Sequence, residues 1–413
     1  MSNNTPPQGN SLPHNSTTAH HAIHRADVWV GAALVGNLTS YSDGTTEFLY
    51  NQETLAHGGP AVATTLPVRD NATVTTGGAL PAFFSNLLPE GRRLSTLKKN
   101  SKVSMDDELG LLLHVGANTI GNVAVVPQGQ RPHPHSAQLT MNEDLDFTEA
   151  LSSAGIVDPS ALPGVQDKAS ARTIAAPTVS DGVDYILKVS PPEYPKLVEN
   201  ESACFEMIRS AKKWIPAASA TVIHDKHGRS GLLVTRFDRH GDTLFPVEDS
   251  AQLLNIPPAA KYSPTMEDVA SAILTVSRRR ALDAQKIAYL VAFAWLTGNG
   301  DMHAKNISVI NTGEGFELAP VYDIPSTLPY GDHTLALSVA GATDNLSGKK
   351  FLSFTRSIGL SDRAARTVMD RSLATTEGAA EKIIQATDFD TRRARDLRRV
   401  LGKRRNLWLD ALG

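Results

Sequence analysis

The sequence predicts an α+β fold in which a mixed strand-and-helix N-terminal part precedes an all-helical C-terminal lobe. Three observations carry that expectation. Alternating or β-branched runs such as "DYILKVS" and "SGLLVTRF" end by about residue 248. Beyond it, "TMEDVASAILTVS", "ALDAQKIAYLVAFAWLTG", "SDRAARTVMDRSLATT" and "TRRARDLRRVLGKRRNLWLDAL" repeat apolar residues near the helical period. A length of 413 residues also exceeds one ordinary core, so two or three subdomains are expected.

Residues 1–25 are polar, rich in Asn, Pro, Ser and Thr, and are expected to be a disordered tail. The histidines there have irregular spacing and no acidic neighbours, which favours a solvated tail over a metal site. An N-terminal α+β subdomain is read over residues 26–130. Its strands are "DVWVGAALVGNLT" and "TEFLYN", joined through the turn "SDG" as a hairpin. "LPAFFSNLLPEGRRLSTLKK" follows as a helix interrupted by Pro89 and Gly91, then "DDELGLLLHVG" as a second helix. Residues 128–145 form a polar linker. A sheet lobe is read over 131–248 from "SARTIAA", "DYILKVS", "ATVIHD" and "SGLLVTRF", with "NESACFEMIRSAKKW" as a capped amphipathic helix. The helical lobe occupies 249–413.

Bulk composition narrows the function classes. Forty basic against forty-three acidic side chains leave a formal charge of -3, so any nucleic-acid contact must be local. Cys204 is the single cysteine, which excludes an intrachain disulfide and a cysteine zinc cluster and makes a reducing cytoplasm the expected location. The longest apolar run, near 287–296, is too short to span a bilayer, so no membrane partner is expected.

The chemistry concentrates in "LTGNGDMHAKNISVI". An apolar helix over about Ala281–Leu296 is terminated by Gly298 and Gly300, which leaves Asp301 to Asn306 in a loop anchored to a buried element. Phosphoryl transfer needs a carboxylate for the acceptor hydroxyl, an amide oxygen for magnesium and a cation against phosphate charge. Asp301, Asn306 and Lys305 supply these at D-x-x-x-x-N spacing, although Asp and Asn also cap ordinary turns. After the strand "ISVI" and turn "NTGEG", "FELAPVYDIPST" would return Asp323 to the same cleft as a second hard-oxygen ligand, although an Asp in this setting is more often a turn former. "LPGVQDKASART" places Gly164 where backbone amides can approach phosphate, without matching either common glycine-rich motif. Lys188 interrupts an apolar strand, and Glu201 of the next helix is an orienting partner. Phosphate loop, strand lysine, helix glutamate, acid-amide loop and metal carboxylate follow the order of parts in a protein kinase.

With these residues in place, the sequence resembles the HipA family of serine/threonine-protein kinase toxins. The family's "N-x-D-x-H-x-K-N-x-S" loop is matched by Asn299, Asp301, His303, Lys305, Asn306 and Ser308. "LAPxYD", "GVQxK", "RFDR" and the N-terminal "FxNLLPEG" segment, Phe84 to Gly91, are matched as well. The motifs span residues 27 to about 350, and the last sixty residues match only in helical character.

The resemblance implies a protein-kinase-like two-lobed fold using ATP and Mg2+. It makes Asp301 the catalytic carboxylate and Asn306 with Asp323 the metal ligands. His303, Ala304, Lys305 and Tyr322 would belong to the nucleotide site, with His303 and Lys305 touching phosphates or bracing the loop. Lys188, oriented by Glu201, would grip the phosphates beneath a flexible loop of Pro163, Gly164, Val165, Gln166, Asp167 and Lys168. Thr235, Arg236 and Phe237 would line the adenine pocket, although "RFDR" also suits a salt-bridged strand end. The implied reaction transfers the γ-phosphoryl of ATP to a serine or threonine of a protein, an aminoacyl-tRNA synthetase or other translation factor, with growth arrest or persistence as the outcome. The implied partner is a HipB-like helix-turn-helix antitoxin, and operator DNA through that complex. One departure stands out: the serine that self-inactivates family members by autophosphorylation is replaced by Ala161. Ser160 and Ser170 are the neighbouring candidates, out of register, so self-inactivation is expected to be weakened or relocated. The arginine-rich C-terminal helix reads as a solvated amphipathic face or as a DNA-backbone contact. A nucleotide-binding co-repressor and a small-molecule kinase are the rival functions.

Overall fold

The computed structural model describes residues 21–101, 107–133, 136–154 and 173–412. The first apolar run does not form one arm of a hairpin. It breaks at Gly31, where φ is 58°, into β1 (Ala22–Val30) and β2 (Ala33–Tyr41), and β3 (Thr46–Tyr50) extends them into a meander. β4 (Thr73–Thr75) and β5 (Val123–Pro127) complete an antiparallel sheet of order β4-β3-β2-β1-β5. β1 begins inside the segment expected to be a disordered tail, because Ala22 and His24 pair with Tyr41 and Ser40 and the His24 ring lies 2.7 Å from Asp107. α1 (Gln52–His57), α2 (Ala82–Ser85), α3 (Gly91–Ser101) and α4 (Glu108–Val115) belong to the same unit, with Phe48, Phe83 and Phe84 in its core. Each such aromatic contributes roughly 2–3 kcal/mol of burial.

β6 (Ala137–Gln138), within the expected linker, runs parallel to β7 (Ile174–Ser180), and α5 (Phe147–Ser153) lies between them in sequence. β8 (Val183–Val189), β9 (Ala220–His224) and β10 (Ser230–Thr235) give the order β6-β7-β8-β10-β9. α6 (Leu197–Arg209) packs on this sheet. It has no side-chain cap, contrary to expectation, since Lys196 enters it in a left-handed conformation. The Asn200 side chain instead pairs with the backbone of Ser326, its Nδ2 donating at 2.8 Å and its Oδ1 accepting at 3.0 Å. A polar residue that suits a helix start thereby ties the two lobes together.

The short pair β11 (Arg239–His240) and β12 (Thr243–Leu244) leads to β13 (Val247–Asp249). β13 pairs with β14 (Ser308–Asn311), which pairs with β15 (Phe316–Leu318). The lobe expected to be all helical thus holds a small sheet, and the expected boundary at 248/249 falls within a strand. Its helices are α7 (Ser250–Leu253), α8 (Met266–Val276), α9 (Arg280–Thr297), α10 (Gly348–Ser357), α11 (Asp362–Thr375), α12 (Ala379–Thr387) and α13 (Thr391–Leu412). α9 is buried on every side from Ile287 onward, which makes it the rigid mount for the loop after it. Several arginines of α13 turn inward. Arg404 stacks 3.8 Å above the Trp295 ring and donates to the carbonyls of Trp295 and His333 at 2.9 and 2.6 Å. Among the described residues, no helix is long and apolar enough to cross a membrane.

Candidate active site

α9 stops because Gly298 takes φ of 77°, a left-handed conformation costly for residues with a side chain. At Gly300 the reason is space: a Cβ would stand 2.5 Å from the Thr334 carbonyl and 2.6 Å from Thr327 Oγ1. The chain then turns into a loop closed on itself. Asn299 Oδ1 accepts from the Asp301 amide at 2.9 Å, and Asn306 Nδ2 donates to the Asp301 carbonyl at 2.9 Å. Asp301 is 1% exposed, and its Oδ1 accepts from the Tyr262 hydroxyl at 2.6 Å. The buried His303 ring packs edge-on against Tyr262 with centroids 5.0 Å apart and stands 4.0 Å from Asp301 Oδ2. His303 and the buried Ala304 brace the loop and lie off the cavity wall, the Ala304 backbone N–H donating to the Lys261 carbonyl at 3.1 Å.

Beside this loop lies a cavity of about 360 Å³. Asn306, Lys305, Tyr322, Asp323, Lys188, Thr235, Arg236 and Phe237 all line it, so most of the residues singled out in the sequence converge there. Asp301 sits one layer behind, joined to the wall through Asn306. The central junction is ionic: Lys188 Nζ donates to Glu201 Oε1 and Oε2 at 2.7 and 2.9 Å and to Asp323 Oδ1 at 2.8 Å. Burial works against the Lys188 charge, but Asp323 and Glu201 outweigh it and hold the ammonium above its ordinary range. Asp323 has φ of 53°, a left-handed backbone outside glycine, which marks a position held against strain. Tyr322 fixes the turn, its hydroxyl donating to the Lys305 carbonyl at 2.7 Å and its ring packing 5.4 Å from Phe237. Burial raises the Tyr322 hydroxyl well above the phenol range. Cys204 is also buried, and its thiol is pushed up to about 12 by burial and then by Glu201, so it is no nucleophile.

Two residues read as nucleotide contacts are engaged with the N-terminal domain. Lys305 Nζ donates to the Asn86 carbonyl at 2.8 Å and to Asn86 Oδ1 at 3.2 Å, with Glu90 at 3.7 Å and Asp249 at 3.8 Å. Arg236 binds Asp238 at 2.6 Å, Asn118 Oδ1 at 2.9 Å and the Thr119 carbonyl at 2.7 Å. The salt-bridged reading of "RFDR" therefore describes the side chain, which also clamps one domain to the other. Asn86 to Glu90, Arg93, Val115 and Asn118 to Ile120 form a whole side of the cavity. Sequence reasoning missed this wall, together with Tyr262 and the cavity carboxylate Asp249; the one available signal was that "NLLPEG" and the loop occur in one chain. Asp249 is raised to about 6, by burial first, against the pull of Lys305. Pro163, Gly164, Val165, Gln166, Asp167 and Lys168, like Ser160, Ala161 and Ser170, lie outside the described residues.

The donor set fits a magnesium nucleotide. Among the residues lining it, Asp323 and Asn306 offer a carboxylate and a side-chain amide, few enough for phosphate oxygens to complete the coordination of a hard cation. Ile186, Val234, Phe237 and Val247 add apolar surface suited to a base.

Residues 160–380 match the model of the HipA-like C-terminal domain, and residues 26–126 match the HipA N-terminal domain. A Sinorhizobium fredii protein named as a kinase is 28% identical over 332 residues, 74% of this chain and 78% of its own. The serine/threonine-protein kinase toxin HipA of Shewanella oneidensis is 27% identical over 351 residues, 76% of this chain and 78% of its own. HipA in the solved Shewanella oneidensis complex with HipB and operator DNA superposes with a TM-score of 0.74 at 20% identity, covering 94% of this chain and 99% of that one.

Proposed function

Because the chain belongs to the HipA family, we propose that it is an ATP-dependent protein serine/threonine kinase and the toxin of a toxin-antitoxin module. The observation that carries this reading is the Lys188 junction: a strand lysine backed by a buried helix glutamate meets a returning carboxylate on the wall of a cavity that Asn306 shares. A scaffold has no need of that arrangement, since a buried ion pair adds little stability over apolar packing. Asp323 and Asn306 are the residues that would hold magnesium, which supplies charge neutralisation at the phosphates. Lys188 keeps Glu201 and turns the hydrogen bond now given to Asp323 toward a phosphate oxygen. Asp301 accepts the proton of the acceptor hydroxyl as the new P–O bond forms and the β–γ bridge bond breaks, releasing ADP. Tyr262 holds the Asp301 carboxylate in place for that step. The proposed acceptor is a serine or threonine of a translation factor such as an aminoacyl-tRNA synthetase, in the cytoplasm, with arrested growth as the consequence. Replacement of the usual serine by Ala161 implies weak or relocated self-inactivation, read by phosphopeptide mapping.

A HipB-like helix-turn-helix antitoxin is the proposed partner, and operator DNA is reached through it. A direct DNA contact by α13 is the weaker option. Arg404 is buried, Arg405 donates to the Leu373 carbonyl at 2.6 Å, and Arg398 pairs with Glu381 at 2.7 Å. The test of function is transfer from γ-labelled ATP in whole lysate, with Asp301→Asn as control. Label on protein, lost in the variant, is the expected result. Label only on small solutes indicates a small-molecule kinase, and no label with retained ATP binding indicates a co-repressor.

A further inference from the structure

We infer that Arg93, carried by the N-terminal domain, contacts the phosphate chain of the nucleotide in the central cavity. The inference rests on the kinase reading of that cavity and extends it to a domain outside the two kinase lobes. Arg93 sits in the first turn of α3, a helix that packs against β7, and lines the same cavity as Lys188, Asn306 and Asp323. The other cations on that wall are engaged: Lys188 by Glu201 and Asp323, Arg236 by Asp238, and Lys305 by Asn86. Of the acids there, Glu90 is held by Lys261 at 2.6 Å, Asp238 by Arg236 and Asp323 by Lys188, while Asp249 accepts from the Gln252 amide at 2.8 Å with Lys305 3.8 Å away. Among the described residues no carboxylate or carbonyl engages the Arg93 guanidinium, and the charge that acts on it is the like charge of Arg236. Burial and that repulsion draw it down to about 10, a cation whose charged form lacks compensation.

A half-buried cation that faces a cavity without a counter-charge is a ready partner for an anion that enters it. A planar guanidinium fork suits the paired oxygens of a phosphate group, and a nucleotide is the anion the cavity is otherwise built to take. The sequence could not single Arg93 out, because the wall it faces is assembled from segments far away along the chain.

The experiment is calorimetric titration of the full chain with ATP, ADP and adenosine, for wild type, Arg93→Gln, Arg93→Lys and Lys188→Ala. Arg93→Gln is expected to weaken ATP and ADP about ten-fold and to leave adenosine within about two-fold, the effect of losing one charge-assisted contact. Arg93→Lys should recover part of the loss. Equal weakening of all three ligands would mean a shelf for base or ribose and would overturn the inference, as would unchanged ATP affinity in both Arg93 variants. Should Arg93→Gln not fold, the Lys variant carries the same contrast between ATP and adenosine. Wild-type protein that binds none of the three overturns the kinase reading itself. ATP binding lost in Lys188→Ala but intact in the Arg93 variants overturns this inference alone.

Discussion

Lys188 and Lys305 have equally hidden side chains, each 11% exposed, yet their charges are balanced in different ways. Lys188 has two carboxylates within 2.9 Å, both from the sheet and helical lobes. Lys305 has an amide and a carbonyl oxygen of Asn86, with carboxylates no nearer than 3.7 Å. The first is a compact ion triad that the two lobes can assemble themselves. The second spreads its charge over dipoles borrowed from another domain. The contrast teaches that one side of this cavity is self-contained, while the other depends on how the N-terminal domain is seated.

That contrast can be broken most forcefully at Lys188. Lys188→Met leaves Glu201 and Asp323 facing each other without a cation, and is expected to destabilise the fold by about 3–5 kcal/mol and abolish ATP binding. Urea unfolding and titration with ATP check both effects, and an unchanged midpoint would show that the triad is not a structural charge. Lys305→Met should cost less, about 1–3 kcal/mol, because the oxygens nearest to it are neutral. It should lower kcat more than it raises the KM for ATP. A pure KM effect would instead place Lys305 on the nucleotide.

Asp249 tests the same cluster through pH. Its folded value near 6 lies above the 3.8 of a free aspartate, so the folded state binds the extra proton between those limits. Its contribution therefore favours folding at low pH and is lost as pH rises toward 6. Asp249 also caps α7, its Oδ1 accepting from the Gln252 amide at 2.8 Å; Asp249→Asn, which can keep that cap, should gain on wild type by roughly 1–2 kcal/mol from pH 4 to pH 7 in urea unfolding. A constant difference across that range would contradict the assignment. The smallest effect is expected for Tyr262→Phe. Removing the hydroxyl that donates to the Asp301 carboxylate at 2.6 Å should lower kcat about two- to five-fold, and an unchanged kcat would show that this hydrogen bond does not position Asp301.

The local parts of this architecture were legible in the sequence. The helix read over 281–296 is α9, its stop at Gly298 is real, and the "ISVI" hairpin does return Asp323 to the neighbourhood of Asn306. Periodicity and turn residues encode such features over a few positions. The missed elements had weaker local marks: β4 is three residues long, and α10 and α12 are short helices. The unread half of the site is long-range. Lys305 and Asn86 are 219 positions apart, and Arg236 and Thr119 are 117 apart. Their meeting follows from domain docking, and no spacing rule carries that information.

The left-handed backbone at Asp323 bears on how this protein can be silenced cleanly. Asparagine tolerates that conformation almost as readily as aspartate, whereas alanine resists it by about 1 kcal/mol. An alanine scan would thus register a displaced turn together with the lost carboxylate and overstate the carboxylate's share. Asp323→Asn is the exchange that alters charge while sparing geometry, so it is the variant that separates the carboxylate from the turn that carries it.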